Sequence, residues 1–69
     1  MQTITHDNKS YKVEVKKVKT NSNYNLGVNV YFQKDKMPFW GTILNEKTNA
    51  TEILSRALNA IKNNPQGER

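Results

Sequence analysis

The chain contains a single imidazole, and it lies next to a carboxylate: His6 is followed by Asp7. A histidine and an acid can act as a general base when the carboxylate orients the ring and a pocket excludes water. Adjacent residues in a strand or turn rarely face each other in that way, and this pair falls in a polar segment suited to a turn. We therefore interpret His6 as a solvated turn residue and expect no catalytic site.

The acidic residues give no further catalytic or metal signature. They lie at Asp7, Glu14, Asp35, Glu46, Glu52 and Glu68. No pair has the spacing of a carboxylate dyad or a calcium loop, the glycines are isolated rather than grouped in a phosphate loop, and there is no cysteine. The sequence therefore predicts a protein that is not an enzyme, with no metal site, no cofactor and no small-molecule substrate.

The remaining chemistry is recognition by surface side chains. Lysines, amides and aromatic rings alternate with apolar residues along the predicted strands, so they share one face of the sheet. Lysine neutralises phosphate, and an aromatic ring stacks on a base with on the order of 1–3 kcal/mol. The predicted partner-binding residues on this face are Lys12, Lys16, Asn29, Tyr31, Gln33, Trp40 and Thr42.

Hydrophobic periodicity predicts the strands that position these residues. Period-two alternation or short apolar runs predict strands over residues 3–5, 11–16, 26–33 and 39–44. The parity breaks at residues 17–19, where the strand is expected to end or bulge, and the Asn- and Ser-rich segment 20–25 is expected to be a loop. The last strand carries large apolar groups on both faces, so its buried face is left open, and Trp40 is placed with the polar face as the working assignment.

A single helix follows the strands. Asn49 and Glu52 have the spacing of a capping box, and apolar residues recur every three or four positions from Ala50 to Ile61. The predicted fold is an α+β two-layer sandwich, an antiparallel sheet of three to four strands with one C-terminal helix on one face, in the order β-β-β-β-α. Residues 1–64 are expected to form one compact domain and residues 65–69 a flexible tail.

Charge and hydropathy limit the class of partner. A net charge of +5 over 69 residues attracts polyanions such as nucleic acids, although ordinary solubility charge accounts for it equally well. The N-terminal residues lack a basic segment followed by an apolar one, and the apolar runs are too short to span a bilayer. We therefore expect a cytoplasmic protein with no membrane partner.

The element order and the basic sheet resemble the arm-type DNA-binding domain of phage integrases and the plant AP2 domain. That resemblance implies a sheet face laid into the major groove of DNA. The strands of those domains are richer in arginine, and none of their motifs occurs in this chain.

These observations predict a small binding module that acts through the helix-free face of its sheet. Another protein, or a second copy in a homodimer, is the favoured partner, because apolar Trp40 and Leu44 are assigned to that face. An inhibitor or adaptor from a phage or mobile element fits the small, Asn- and Lys-rich chain. The alternative is nucleic-acid binding, with lysines on phosphates and bases stacked on Tyr31 and Trp40.

Overall fold

The computed structural model describes residues 2–21 and 23–64, and it confirms the predicted α+β fold. The strands form one antiparallel sheet in the spatial order β1-β2-β3-β4, so each strand lies beside its neighbours in sequence. The elements in chain order are β1 (Gln2–His6), β2 (Lys9–Thr20), β3 (Asn23–Phe32), β4 (Trp40–Asn45) and α1 (Ala50–Asn63).

The first turn forms where the polar segment after β1 predicts it. Asp7 and Asn8 both have positive φ angles, 53° and 63°, as a two-residue type I′ hairpin requires. Short polar side chains tolerate this left-handed conformation better than most residues do. The turn pairs His6 with Lys9 and so sets the register of β1 on β2.

The hairpin of β2 and β3 is longer than expected. Its register runs without a break from Tyr11 opposite Phe32 to Thr20 opposite Asn23, so the predicted bulge at 17–19 and the predicted loop at 20–25 are wrong. The strand continues through the parity break with Val18 on the polar face beside Gly27, where a methyl group at Gly27 would lie 3.4 Å from Val18 Cγ1, an ordinary van der Waals distance.

The core lies between one face of the sheet and α1. The helix contributes Ile53, Ala57 and Ile61, of which Ala57 and Ile61 are fully buried, and the small side chain of Ala57 allows the helix to approach the sheet closely. The helix begins at the predicted cap, where Glu52 N donates to Asn49 Oδ1 at 2.8 Å. The predicted tail, residues 65–69, lies outside the described residues. The sheet contributes buried Tyr11, Val13, Val28 and Val30.

The last strand has the opposite orientation to the one expected. In the register of β3 on β4, Trp40 lies opposite Val30 and Thr42 lies opposite Val28, and both valines are fully buried beneath the helix. Trp40 and Leu44 pack against the core, so placing Trp40 and Thr42 on the helix-free face is wrong. Alternation alone could not decide the orientation, because both faces of β4 carry large apolar groups.

Candidate binding surface on the open sheet face

We call the sheet face opposite α1 the open face. Its side chains come from alternate positions of the strands, and the registers set them in rows across the sheet. The threonines of β1 form one border of this face, with Thr3 opposite Lys12. The central rows pair Lys12 with Tyr31, Glu14 with Asn29, and Lys16 with Gly27.

Glu14 is the centre of a polar cluster on the open face. Tyr31 donates its hydroxyl hydrogen to Glu14 Oε1 at 2.9 Å, and Asn29 Nδ2 donates to the same oxygen at 3.4 Å. Lys16 Nζ lies 3.8 Å from Glu14 Oε1. The carboxylate therefore fixes the tyrosine and the asparagine of β3 against β2 and offsets part of the charge of Lys16.

The contacts within this cluster shift the pKa of Glu14 and the pKa of Tyr31 in opposite directions. The hydrogen bond from Tyr31 lowers the pKa of Glu14; partial desolvation opposes this, and Asn29 and Lys16 add to the lowering. The same hydrogen bond raises the pKa of the Tyr31 hydroxyl, and desolvation and the charge of Glu14 act in the same direction. At neutral pH the cluster therefore holds an ionised carboxylate and a neutral phenol.

The centre of the open face is shallow because two of its positions are glycine. A methyl group at Gly41 would lie 2.6 Å from Asn29 Oδ1, so the amide of Asn29 lies directly against the backbone of β4. Gly27 has Lys16 on one side and Ile43 on the other. Ile43 retains 56% of its exposure and, with Val18, is one of two large apolar side chains that the described strands place on this face.

A polar depression of about 600 Å³ adjoins the open face where β2 begins and β3 ends. Gln33 enters it because β3 stops at Phe32: Gln33 has a φ of 51°, and its N–H donates to Ser10 O at 2.9 Å. Lys12 belongs to both the depression and the open face, and it joins the two into one surface. The lining residues are Asn8, Ser10, Lys12, Gln33, Lys34 and Asp35.

The structure brings together most, but not all, of the predicted site residues. Lys12, Lys16, Asn29 and Tyr31 share the open face, and Gln33 lies in the adjoining depression rather than on the strand. Trp40 and Thr42 lie on the other side of the sheet, as described above.

Glu14 and Lys34 are two charged residues of this surface that the sequence-based prediction of the site did not include. Glu14 alternates in step with Lys12 and Lys16, which was a usable signal for placing it on the same face. Lys34 follows the end of β3, and its approach to Lys12 depends on the turn that begins at Gln33, which periodicity does not report.

The histidine does not join this surface. His6 Nε2 lies 3.6 Å from Asp7 Oδ2 at the β1–β2 turn, and 80% of the Asp7 side chain is exposed. Across residues 2–21 and 23–64, no three His, Cys, Asp or Glu side chains are grouped so that they could hold a metal ion. Over the same residues, no helix combines the length and the apolar character needed to cross a membrane.

Comparison of the chain with models of protein families, with curated proteins and with solved structures finds no match.

Proposed function

We propose that this protein is a non-enzymatic binding module for single-stranded nucleic acid, and that the open face is its contact surface. The observation that carries the proposal is the composition of that face: lysine, amide, hydroxyl and one tyrosine ring surround a glycine-lined floor. The apolar pair that favoured a protein partner, Trp40 and Leu44, packs against the core instead. A polar, cationic surface suits a polyanion better than it suits an apolar interface.

In this proposal the lysines of β2 follow the nucleic-acid backbone. Lys12 and Lys16 lie four residues apart on one strand, which separates their Cα atoms by roughly 13 Å at about 3.3 Å per residue. Lys34 extends the same cationic line into the depression beyond Lys12. Lysine acts as a flexible point charge, which is sufficient for phosphate contact without a demand for sequence.

Tyr31 supplies the stacking surface for a base. It lies opposite Lys12, so a nucleotide whose base stacks on the ring would have its phosphate near the ammonium group. Its hydroxyl is held by Glu14 at 2.9 Å, so less side-chain freedom is lost when the base binds. Asn29, in the next row, offers an amide that can donate to or accept from a base edge.

A single ring favours unpaired nucleic acid over a duplex. Bases inside a duplex are stacked on each other, and an aromatic side chain reaches their faces only when they are splayed out. The proposal includes three expectations about the setting of the protein. It acts without catalysis, it is located in the cytoplasm, and it originates from a phage or mobile element.

A protein partner is the second candidate function, and one observation favours it. Ile43 is 56% exposed on the open face, across Gly27 from Val18, and exposed apolar groups of this kind contribute to protein interfaces. Self-association through this patch would appear as a dimer in sedimentation experiments. Ile43→Ser should then convert the dimer to a monomer.

Fluorescence anisotropy of a labelled oligothymidine, about 12 nucleotides long, tests the nucleic-acid proposal. The variant Lys12→Gln/Lys16→Gln should weaken binding, and the slope of log K against log salt should fall by about 1.4, since each single-strand phosphate contact contributes about 0.7. Lys36→Gln/Lys47→Gln removes the same charge from loops outside the open face and is the matched control. The proposal would be contradicted if the two variants lost affinity equally, or if the unaltered chain did not bind the oligonucleotide at low salt.

A further inference from the structure

One edge of β2 is bare along half of its length. β1 ends at Gln2, which pairs with Val13, whereas β2 continues to Thr20. In the part of the chain that the structure describes, no strand lies beside β2 beyond Val13 on this side. An exposed edge of this kind is a template for pairing with another strand.

The registers identify which backbone groups face outward. In a two-residue hairpin the residues that flank the turn form a hydrogen-bonded pair, and the direction of the backbone groups alternates from there. Lys9 therefore bonds toward β1, and Ser10 bonds toward β3, where its carbonyl accepts from Gln33 N. By the same alternation the N–H and C=O groups of Val15, Lys17 and Lys19 point away from β3, along the bare edge.

A groove lies beside this edge, between the sheet and the first turns of α1. It has a volume of about 210 Å³, and its walls include Val13, Val15, Ile53 and Leu54. Val15 keeps 44% of its exposure although it is on the helix side of the sheet. A strand added to β2 would place every second side chain on the helix side of the sheet, because strand side chains alternate between faces. The helix-side positions near Val15 border the groove, and the next two lie opposite Lys17 and Lys19.

The charge along the edge limits what the added strand can be. Lys17 and Lys19 lie on the helix side of this edge, in line with Val13 and Val15, and no acidic residue occurs between Glu14 and Asp35. A second copy that paired edge to edge in antiparallel fashion would set its lysines against these lysines, and like charges directly opposite each other are destabilising. An acidic strand would instead be attracted electrostatically to the lysines of this edge.

We propose that the outer edge of β2 accepts an extended acidic peptide of another protein as an added strand. The N–H and C=O groups of Val15, Lys17 and Lys19 bond to the peptide backbone. On the helix side, acidic side chains of the peptide lie opposite Lys17 and Lys19, and apolar side chains nearer Val15 enter the groove above Ile53 and Leu54. This site is separate from the open face, because it uses the backbone edge of β2 and the helix side of the sheet. It therefore stands or falls independently of nucleic-acid binding.

Amide hydrogen exchange with a defined peptide tests the proposal. The probe, the glutamate–valine peptide, is a capped octapeptide with glutamate at the helix-side positions opposite Lys17 and Lys19, valine at the helix-side positions beyond them, and serine between. The comparison peptides of equal length are a lysine–valine version and a glutamate–serine version. With glutamate–valine peptide at ten times its dissociation constant, exchange at the amides of Val15, Lys17 and Lys19 should slow by about tenfold, following the bound fraction. The comparison peptides should bind more weakly, since one lacks the charge and the other lacks the apolar side chains.

Lys17→Glu/Lys19→Glu should weaken the binding of the glutamate–valine peptide by about tenfold or more at low salt. Lys36→Glu/Lys47→Glu, with the same change in net charge away from the edge, should weaken it far less. Unchanged exchange at the three amides under millimolar peptide would overturn the proposal and leave the lysines as protection against edge pairing. If, without peptide, exchange at these amides slows further as the protein concentration is raised, a second copy of the chain occupies the edge and the proposal is overturned.

Discussion

Truncation of two aromatic side chains, Trp40 and Tyr31, is expected to produce opposite effects because the sheet separates them. Trp40 lies on the helix side, opposite the fully buried Val30, and packs against the core. Tyr31 lies on the open face opposite Lys12. Trp40→Ala should therefore reduce stability and spare binding, whereas Tyr31→Ala should reduce binding and largely spare stability.

The magnitude for Trp40 follows from its packing. Truncation of a buried tryptophan to alanine costs about 3–5 kcal/mol, and we take the lower end because Trp40 is only partly buried. A small domain has a free energy of unfolding of about 5 kcal/mol and a urea dependence of about 1 kcal/mol per molar. Trp40→Ala should then move the urea midpoint from about 5 M to about 2 M.

The loss of affinity expected for Tyr31→Ala follows from the free energy of base stacking. Loss of one stacked base should weaken oligonucleotide binding by about 5- to 150-fold, which corresponds to the usual range of base–aromatic stacking. Tyr31→Phe keeps the ring and removes the hydroxyl that donates to Glu14, so it should stay within a few-fold of the unaltered chain. Circular dichroism in urea reports stability for each variant, and anisotropy with labelled oligothymidine reports binding. If Tyr31→Ala binds as the unaltered chain does, or Trp40→Ala unfolds at the same urea concentration, the reasoning about the two faces is refuted.

Three further predictions concern the cluster around Glu14. Glu14→Gln removes the carboxylate that lies 3.8 Å from Lys16 Nζ, so oligonucleotide affinity should rise several-fold at low salt, as measured by anisotropy; a lower affinity would contradict the phosphate role of Lys16. Because the Tyr31 hydrogen bond lowers the pKa of Glu14, its stabilising contribution is present above the unfolded-state pKa of about 4.3 and is lost as the pH falls through the folded-state pKa. Urea midpoints of the unaltered chain should accordingly fall more between about pH 5 and pH 3 than those of Glu14→Gln, and parallel curves would contradict the shift. Gly41→Ala places a methyl group 2.6 Å from Asn29 Oδ1 and should displace that amide from Glu14, so the urea midpoint should fall. In the Asn29→Ala background the same substitution should cost less, and an equal cost in both backgrounds would show that the clash lies elsewhere.

Alternation along β2 and β3 was sufficient to predict which of their side chains share a face. Lys12, Lys16, Asn29 and Tyr31 occupy the open face as expected, because they alternate with the residues of the same strands that face the core. The buried ones are Tyr11, Val13, Val28 and Val30. Periodicity works for these strands since one face is clearly apolar and the other clearly polar. The helix and its Asn49 cap were predictable for the same reason, from a continuous apolar stripe and a cap of suitable type.

The sequence-based predictions were wrong where a short segment is compatible with two different structures. On β4, Trp40 and Ile43 point to opposite faces and either could have been buried, so the register with β3 decides the orientation. On β2, the parity break at residues 17–19 suggested a bulge, but the register with β3 continues unbroken and places Val18 on the polar face beside Gly27. Both outcomes depend on contacts across strands, which a single segment of sequence does not contain.

The most direct test of the account is an amide and side-chain NMR titration of the protein with unlabelled oligothymidine. We expect the largest chemical-shift changes at the open-face residues Lys12, Lys16, Asn29 and Tyr31. The indole N–H of Trp40 should stay unchanged, because the sheet lies between it and the proposed contact surface. Changes centred on Trp40 and the helix, with the open face unaffected, would contradict the central claim that this face binds the partner.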